Sequence, residues 1–291
     1  MQIVTDSGVD LGLAPEEQKA LRIRVVPLVV NLEGQSFREG VDIMADDFYA
    51  RLAETQSLPT TSQPSPGDFA AVYRELAADD PAILSIHMSS GLSGTYNSAL
   101  TAAASVPEAE IAVVDTKTLS AGAGWQVEAA ARALRAGWTL EAVLAMVRRV
   151  QEQTHSLFTL KELKYLIHGG RISHMKGLIA SVLDLKPVIG VENEGGTYAQ
   201  MGQARSFAAA IRNLAELPGK WVPKGSALRA QVVHACNPEA AEELRQSVSQ
   251  LFNCAWRPTG RLSMVLGAHT GPTMVGLAIA PLTAFADIPE A

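Results

Sequence analysis

Between Ile83 and Ala99 the chain reads ILSIHMSSGLSGTYNSA, placing Ser89, Ser90, Ser93 and Thr95 between strand-like residues and a helix expected to begin near Tyr96. The first amides of a helix lack intrahelical partners, so a turn of this kind can hold an anion. Gly91 and Gly94 let the backbone approach a ligand without Cβ interference. The turn carries no Lys and does not match GxxxxGK[ST], so a carboxylate suits it better than a nucleotide triphosphate. A second hydroxyl cluster, Thr60, Thr61 and Ser62, lies in LPTTSQPSPGD at 58–68. The prolines exclude regular structure there, which leaves either a rigid surface loop or a cluster facing the first. His269, in GAHTGPTMVG, is expected on a Gly-flanked loop directly after a strand, where an imidazole can donate to a carboxylate or act as a base.

Other groupings have weaker chemistry. Residues 161–176, KELKYLIHGGRISHMK, set Lys161, Lys164, Arg171 and Lys176 against the single acid Glu162. Such a patch is either a solvated face or a docking surface for an acidic partner, with Arg171 presented on a turn after Gly169-Gly170. Ser93 stands at a strand-to-helix turn, as the nucleophile of a hydrolase elbow would, but Thr95 occupies the place of the last Gly in GxSxG. A Ser93, Asp115 or Asp184, His269 order can be written for a serine hydrolase, although many sequences of this length allow it by accident. His87 and His234, inside apolar strands, read as core residues.

The elements that must position these residues follow from pattern and composition. At 291 residues, 47% hydrophobic and 5% aromatic, the chain can fill two cores with Ala, Val, Leu and Ile, as buried parallel strands require. A net charge of −6 offers no general attraction to nucleic acid or an anionic membrane. There is no apolar run of membrane-spanning length and no basic leader, so a cytoplasmic protein without membrane insertion is expected. Cys236 and Cys254 lack the spacing of a disulfide framework or zinc site and read as buried or incidental thiols. Strands are expected at 2–5, 23–32 (interrupted by Pro27), 83–86 and 111–115, and helices at 15–20, 46–55 (capped by Asp46), 66–78 (capped by Ser65), 125–135 and 140–153. This alternation describes a doubly wound parallel sheet over residues 1–155. The remainder, 156–291, reads as an α+β domain with a mixed or antiparallel sheet. Its strands are expected at 156–159, 186–191, 197–204, 228–234, 261–265 and 274–280, and its helices at 160–168, 176–182, 206–217 and 238–252. Residues 37–40 read as a loop.

Taken together, IVTDSGVDL at the start, PTTSQPSPGDF at 59, SIHMSSGLSGTYNSA at 85, VVDTKTLSAGAG at 113, LKYLIHGGRIS at 163, LKPVIGV at 185 and AHTGPTMVGL at 268 resemble the DegV family essentially end to end. The resemblance implies an α/β domain and an α+β domain holding one long-chain fatty acid in a tunnel between them. It also implies a non-catalytic role as the binding subunit of a bacterial fatty acid kinase, with nucleotide and metal on the partner. Carried over by motif, Thr61, Ser62, Ser93, Gly94 and His269 would surround the carboxylate, and Arg171 and Lys176 would face the kinase. Thr60 stands where the family usually has Lys or a similar residue. No metal or cofactor is expected on this chain. A serine hydrolase, or a carrier of another apolar ligand, are the other readings.

Overall fold

The structure is a computed structural model that describes residues 1–172 and 185–289. Its first half contains β1 (Gln2–Asp6), α1 (Pro15–Ala20), β2 (Ile23–Val26), β3 (Val29–Leu32), β4 (Gln35–Arg38), α2 (Ala45–Glu54), β5 (Thr60–Ser62) and α3 (Pro66–Ala77). These are followed by β6 (Ala82–His87), α4 (Thr95–Ala103), β7 (Glu110–Asp115), α5 (Ser120–Arg135) and α6 (Leu140–Gln153). Strands β2, β1, β6 and β7 form, in that order, a parallel sheet. The order turns back between β1 and β6, so a crevice opens beyond their carboxyl ends, where ligands of open α/β sheets gather. Asp6 and His87 end those two strands.

Successive side chains of a strand face opposite ways, and this divides the cores. Val4, Val26 and Ile83 pack on Phe69 and Tyr73 of α3 and Ala99 and Ala102 of α4. Their neighbours Ile3 and Leu84 face a core built with α5 and α6. The far side of that core is a second sheet, formed by β8 (His155–Thr159), β9 (Lys186–Val191), β10 (Tyr198–Ala204), β11 (Ala227–His234), β12 (Asn253–Trp256), β13 (Gly260–Arg261) and β14 (Val275–Pro281). Its order is β10-β9-β8-β14-β11-β12, with β13 also on β11. It is mixed: β11 runs parallel to β12 and β13, and the other pairings are antiparallel. Between β8 and β9 comes α7 (Lys164–His168); α8 (Phe207–Glu216) and α9 (Pro238–Ser249) cover the outer face of this sheet, and α10 (Met264–Thr270) follows β13. The fold is therefore α/β with a parallel and a mixed sheet.

Several elements depart from the pattern reading. Pro27 splits the expected 23–32 strand, and its halves join different sheets. β3, from the second half of that strand, pairs with β4 and β5 in a small antiparallel sheet, and the loops expected at 37–40 and 58–68 contribute to those two partners. Of the expected strand at 261–265 only Arg261 is extended, as the end of β13; Met264–Thr270 is a helix buried at every position, and a run buried on all sides has no periodicity to distinguish the two. The cap of α2 is Met44, which makes no side-chain cap bond, while Asp46 lies within the first turn. α5 starts at Ser120 rather than Trp125, α7 is shorter than expected, and β12 was not anticipated. The helix expected at 176–182 lies outside the described residues. Neither thiol is buried: Cys236 is exposed and Cys254 half-buried.

The start of α3 agrees with its sequence signature. Ser65 Oγ accepts from Asp68 N at 3.2 Å while Asp68 Oδ2 accepts from Ser65 N at 2.8 Å, with Pro66 in the first turn. Ser65→Ala should lower unfolding free energy by about 1 kcal/mol. Urea denaturation would show this as a reduced midpoint at constant slope; an unchanged midpoint would mean that the cap contributes nothing.

Candidate functional site

Asp6, at the end of β1, builds the first wall. Its Oδ1 accepts from Gly8 N at 3.0 Å, and its Oδ2 accepts from Met88 N at 3.0 Å and faces His87 Nδ1 at 2.9 Å. His87 Nε2 meets Ser85 Oγ at 2.7 Å, which meets the Tyr73 hydroxyl at 2.8 Å. The whole chain is buried, so His87 is a core residue as its apolar setting suggested, and it joins the loops that leave β1 and β6.

The Ser/Gly turn after β6 is more self-contained than its sequence implies. Ser89 Oγ donates to Gly196 O at 2.8 Å and accepts from Gly91 N at 3.1 Å. The amides of Leu92 and Ser93 both donate to Ser89 O at 3.1 Å. Ser90 N and Oγ are held by Asp115, which also pairs with Lys117 at 3.0 Å. These amides and hydroxyls hold the turn rather than a ligand. Ser93 Oγ, 2.8 Å from Thr95 Oγ1, is the hydroxyl of the turn that reaches the interior.

Opposite stands β5. Strand alternation turns Thr61 inward and leaves Thr60 and Ser62 exposed, so Ser62 does not join Thr61 at the cavity. Thr61 Oγ1 is 2.7 Å from His269 Nε2. His269 is carried by α10 rather than by a loop, and it is only 8% exposed. Its Nδ1 is buried and has no hydrogen-bond partner among the described residues. A Cβ on Gly169 would come within 2.0 Å of that nitrogen, so the first glycine of the GGR segment is needed for space. Gly170, with φ +72°, is needed for its backbone.

Thr61, Ser93, His269 and Arg171 line one cavity of about 30 Å³, together with Leu28, Met88, Leu92, Leu119, Tyr198, Val265 and Leu266. That is room for about two waters at ~10–15 Å³ each. Outward, past Leu92, Ser93 and Arg171, it meets an open polar cleft of about 290 Å³ bounded by residues 90–94 and by Gly170 and Arg171. Gly94 belongs to this cleft rather than to the inner cavity. Inward, past Leu119, lies an apolar void of about 20 Å³ lined by residues that include Ala121, Phe158, Met274 and Ala278. Polar groups thus lie at the outer end of the line and apolar ones at the inner end. Lys176 and Asp184 lie outside the described residues. Lys164 pairs with Glu162 at 2.7 Å.

Among the described residues the hydrolase constellation is not assembled. Ser93 Oγ meets Thr95 and His269 Nε2 meets Thr61, and Asp115 is engaged by Ser90 and Lys117.

Two groups that the pattern reading missed stand behind α10. Glu39 accepts from Met264 N and from Ser7 Oγ, the latter at 2.7 Å; Asp10 accepts from Ser120 Oγ at 2.5 Å and faces the Ser263 amide. Burial pushes Asp10 up to about 7 and Glu39 up to about 8, the latter aided by the nearby Asp10 charge. Burial moves His269 the other way, from 6.5 to about 4, helped by Arg171 and His168. His269 is therefore neutral at pH 7.

Among the described residues, no group of three or more His, Cys, Asp or Glu could hold a metal ion, and no helix is long and apolar enough to cross a membrane.

Fold and site define a mixed α/β protein with a polar-to-apolar line of voids at a sheet switch point. Residues 1–282 match the sequence model described as an uncharacterised protein of the DegV family, and the chain belongs to that family. A DegV domain-containing protein of Deinococcus radiodurans is 35% identical over 285 residues, covering 97% of this chain and 99% of its own. Among solved structures, a DegV family protein of Thermus thermophilus, described for its fatty acid binding, is 35% identical with TM-score 0.85, covering 97% of this chain and 99% of that one. A DegV lipid binding protein of Thermotoga maritima is 30% identical with TM-score 0.85, covering 97% and 98%.

Opposed pKa shifts predict opposed pH effects. Between pH 6.5 and about 4 the unfolded chain holds a proton on His269 that the folded chain refuses, so stability is lost as pH falls, by about 3 kcal/mol at most. For Asp10 and Glu39 the folded chain holds the proton, so their contribution is lost as pH rises towards 7 and 8. In melting curves from pH 4 to 9, His269→Gln should reduce the acid-side loss and Glu39→Gln the loss near pH 8. Parallel curves for all three proteins would contradict both assignments.

Proposed function

We propose that this protein binds one long-chain fatty acid, with its carboxylate among Thr61, Ser93 and His269 and its chain running inward past Leu119. The observation that carries this is the convergence of those three side chains on one cavity that is separated by Leu119 from an apolar void further in. The fatty acid binding described for the Thermus thermophilus relative supports it. In this reading residues 1–155 form an α/β domain that supplies Thr61 and Ser93. Residues 156–291 form an α+β domain that supplies His269 and closes over the chain.

The two inner voids, about 30 and 20 Å³, are far smaller than an acyl chain, so binding must part the side chains between them. Leu119, which lines both, has to move. Roughly 14 methylenes at ~0.8 kcal/mol each provide about 11 kcal/mol gross, from which immobilisation and the opening itself subtract a large part. Affinity then belongs to the tail and orientation to the head. Hydroxyls and a neutral imidazole would hold the carboxylate by hydrogen bonds, with Arg171, which lines both this cavity and the outer cleft and donates to Gly169 O, adding positive charge at the mouth.

A head group left partly free suits a further role, as the binding subunit of an ATP-dependent fatty acid kinase. One carboxylate oxygen would attack the γ-phosphorus of ATP held by the partner. A new P–O bond forms, the bond to the β–γ bridging oxygen breaks, ADP departs, and an acyl phosphate remains. The open cleft at residues 90–94 with Arg171 is the face on which the two proteins would meet. Catalysis, nucleotide and metal would belong to the partner.

Native mass spectrometry of the purified protein, followed by identification of the released molecule, should give one fatty acid per chain. An empty protein that also fails to take up added palmitate would refute the reading. Thr61→Ala and His269→Ala should each weaken palmitate binding about tenfold, the cost of one lost hydrogen bond to a charged group. Ala278→Val, which narrows the inner void, should shift the preferred chain shorter by about two carbons in a competition series. An unchanged series would place the tail elsewhere.

A further inference from the structure

Helix α10 supplies three residues of the head-group cavity, Val265, Leu266 and His269, yet has no side-chain cap of its own. Its seven residues are all buried, so water cannot satisfy its first amides. The acceptor for Met264 N is Glu39, 225 residues earlier in the chain. Glu39 is 8% exposed and also faces the Val265 amide. It is held in turn by Ser7 Oγ, which accepts from Leu28 N at 2.9 Å. One carboxylate therefore joins the loop after β1, the start of β3 and the first turn of α10.

Asp10 makes the parallel connection one step earlier, between Ser263 and Ser120, the first residue of α5. Ser120 directly follows Leu119, the residue shared by the two inner voids. Tyr49 completes the arrangement from α2. Its hydroxyl lies 3.0 Å from Leu262 O and 3.2 Å from Ser263 O, and its ring leaves no room for a Cβ on Gly267. None of Glu39, Asp10 and Tyr49 lines the cavity.

We infer that Glu39 and Asp10 are positioning residues for the head-group site, accepting the amides at the start of α10 and so fixing where His269 stands against Thr61. The inference rests on the fatty acid reading above only for the choice of ligand. Because the two carboxylates are buried close together, the charge on the pair depends on pH near neutrality, as their raised values indicate. The charged and titratable groups around them are Tyr49, Arg261, which lies over the Tyr49 ring at 4.8 Å, and Cys236, which Arg261 approaches at 3.3 Å. Arg261 is itself 3.3 Å from the exposed Asp46. Ligand affinity consequently follows the ionisation of a pair that the ligand never touches.

The test uses full-length protein, palmitate titrations from pH 6 to 9, and imidazole NMR of His269. Glu39→Ala should weaken palmitate binding about tenfold and move the His269 titration back towards its ordinary value. Glu39→Gln, which keeps an acceptor for Met264 N without the charge, should restore affinity to within about threefold of the native protein and flatten its pH dependence. Asp10→Asn should flatten it likewise. The inference is overturned if Glu39→Ala folds and leaves both the His269 titration and palmitate affinity unchanged. Should Glu39→Ala not fold, native pH profiles in both Glu39→Gln and Asp10→Asn overturn it. If the native protein binds no palmitate, the fatty acid reading fails by itself, while the His269 titration in these variants still decides the positioning role.

Discussion

A short helix buried on every side must find acceptors for its first amides within the protein, and in this chain that demand falls on α10. Its amides cannot reach water, and Ser263, the residue before it, leaves its own hydroxyl buried with no partner among the described residues. The acceptors come instead from Glu39 and Asp10, brought in from the first sheet and the loops beside it. The same contacts that satisfy α10 also bring His269 to within hydrogen-bond distance of Thr61, more than two hundred residues away in sequence. The site and the helix start are one construction.

Close packing explains the glycines that surround it. Gly169 is bare because the His269 ring occupies the space of its Cβ. Gly271 has φ +77° and in addition lies against the Tyr165 ring. Gly196 lies against Ser89 Oγ, which fastens the 192–197 turn to the Ser/Gly turn of the first sheet. Contacts of this kind leave little freedom for the polar walls, whereas the apolar line behind them is bounded by flexible Leu and Met side chains. In the proposed function the head group meets a stiff surface and the tail a yielding one.

Much of the fold was legible because it rests on local rules. The 66–78 helix is legible from its Ser65 cap and Pro66, and 140–153 from the Gly137 break before it. The 186–191 and 197–204 hairpin was read from a Gly-containing turn between two apolar runs. What failed was non-local. β5 is three residues long and exists through backbone pairing with β3, and nothing in TTS distinguishes it from loop. The 261–265 strand was misread because MVLGAHT is buried all round and its cap is remote. In the site, Thr61, Ser93 and His269 could be named from residue type and setting. The displacement of Ser62 from the cavity follows from the two-residue period of a strand that the pattern did not reveal.

By itself, then, the sequence determined the residue types at each end of the line of voids, the parallel sheet, and the family motifs that mark the chain as a DegV protein. Only the tertiary structure decided that the Ser89 and Ser90 hydroxyls are engaged within the fold, that Gly94 lies on the outer cleft, and that Glu39 and Asp10 belong with His269. The physical reason is the range of the forces involved. Propensity, capping and alternation act over a few residues and are written locally. The pairing of buried donors with acceptors, and the space left by a missing Cβ, are set by whatever segments the packing brings together.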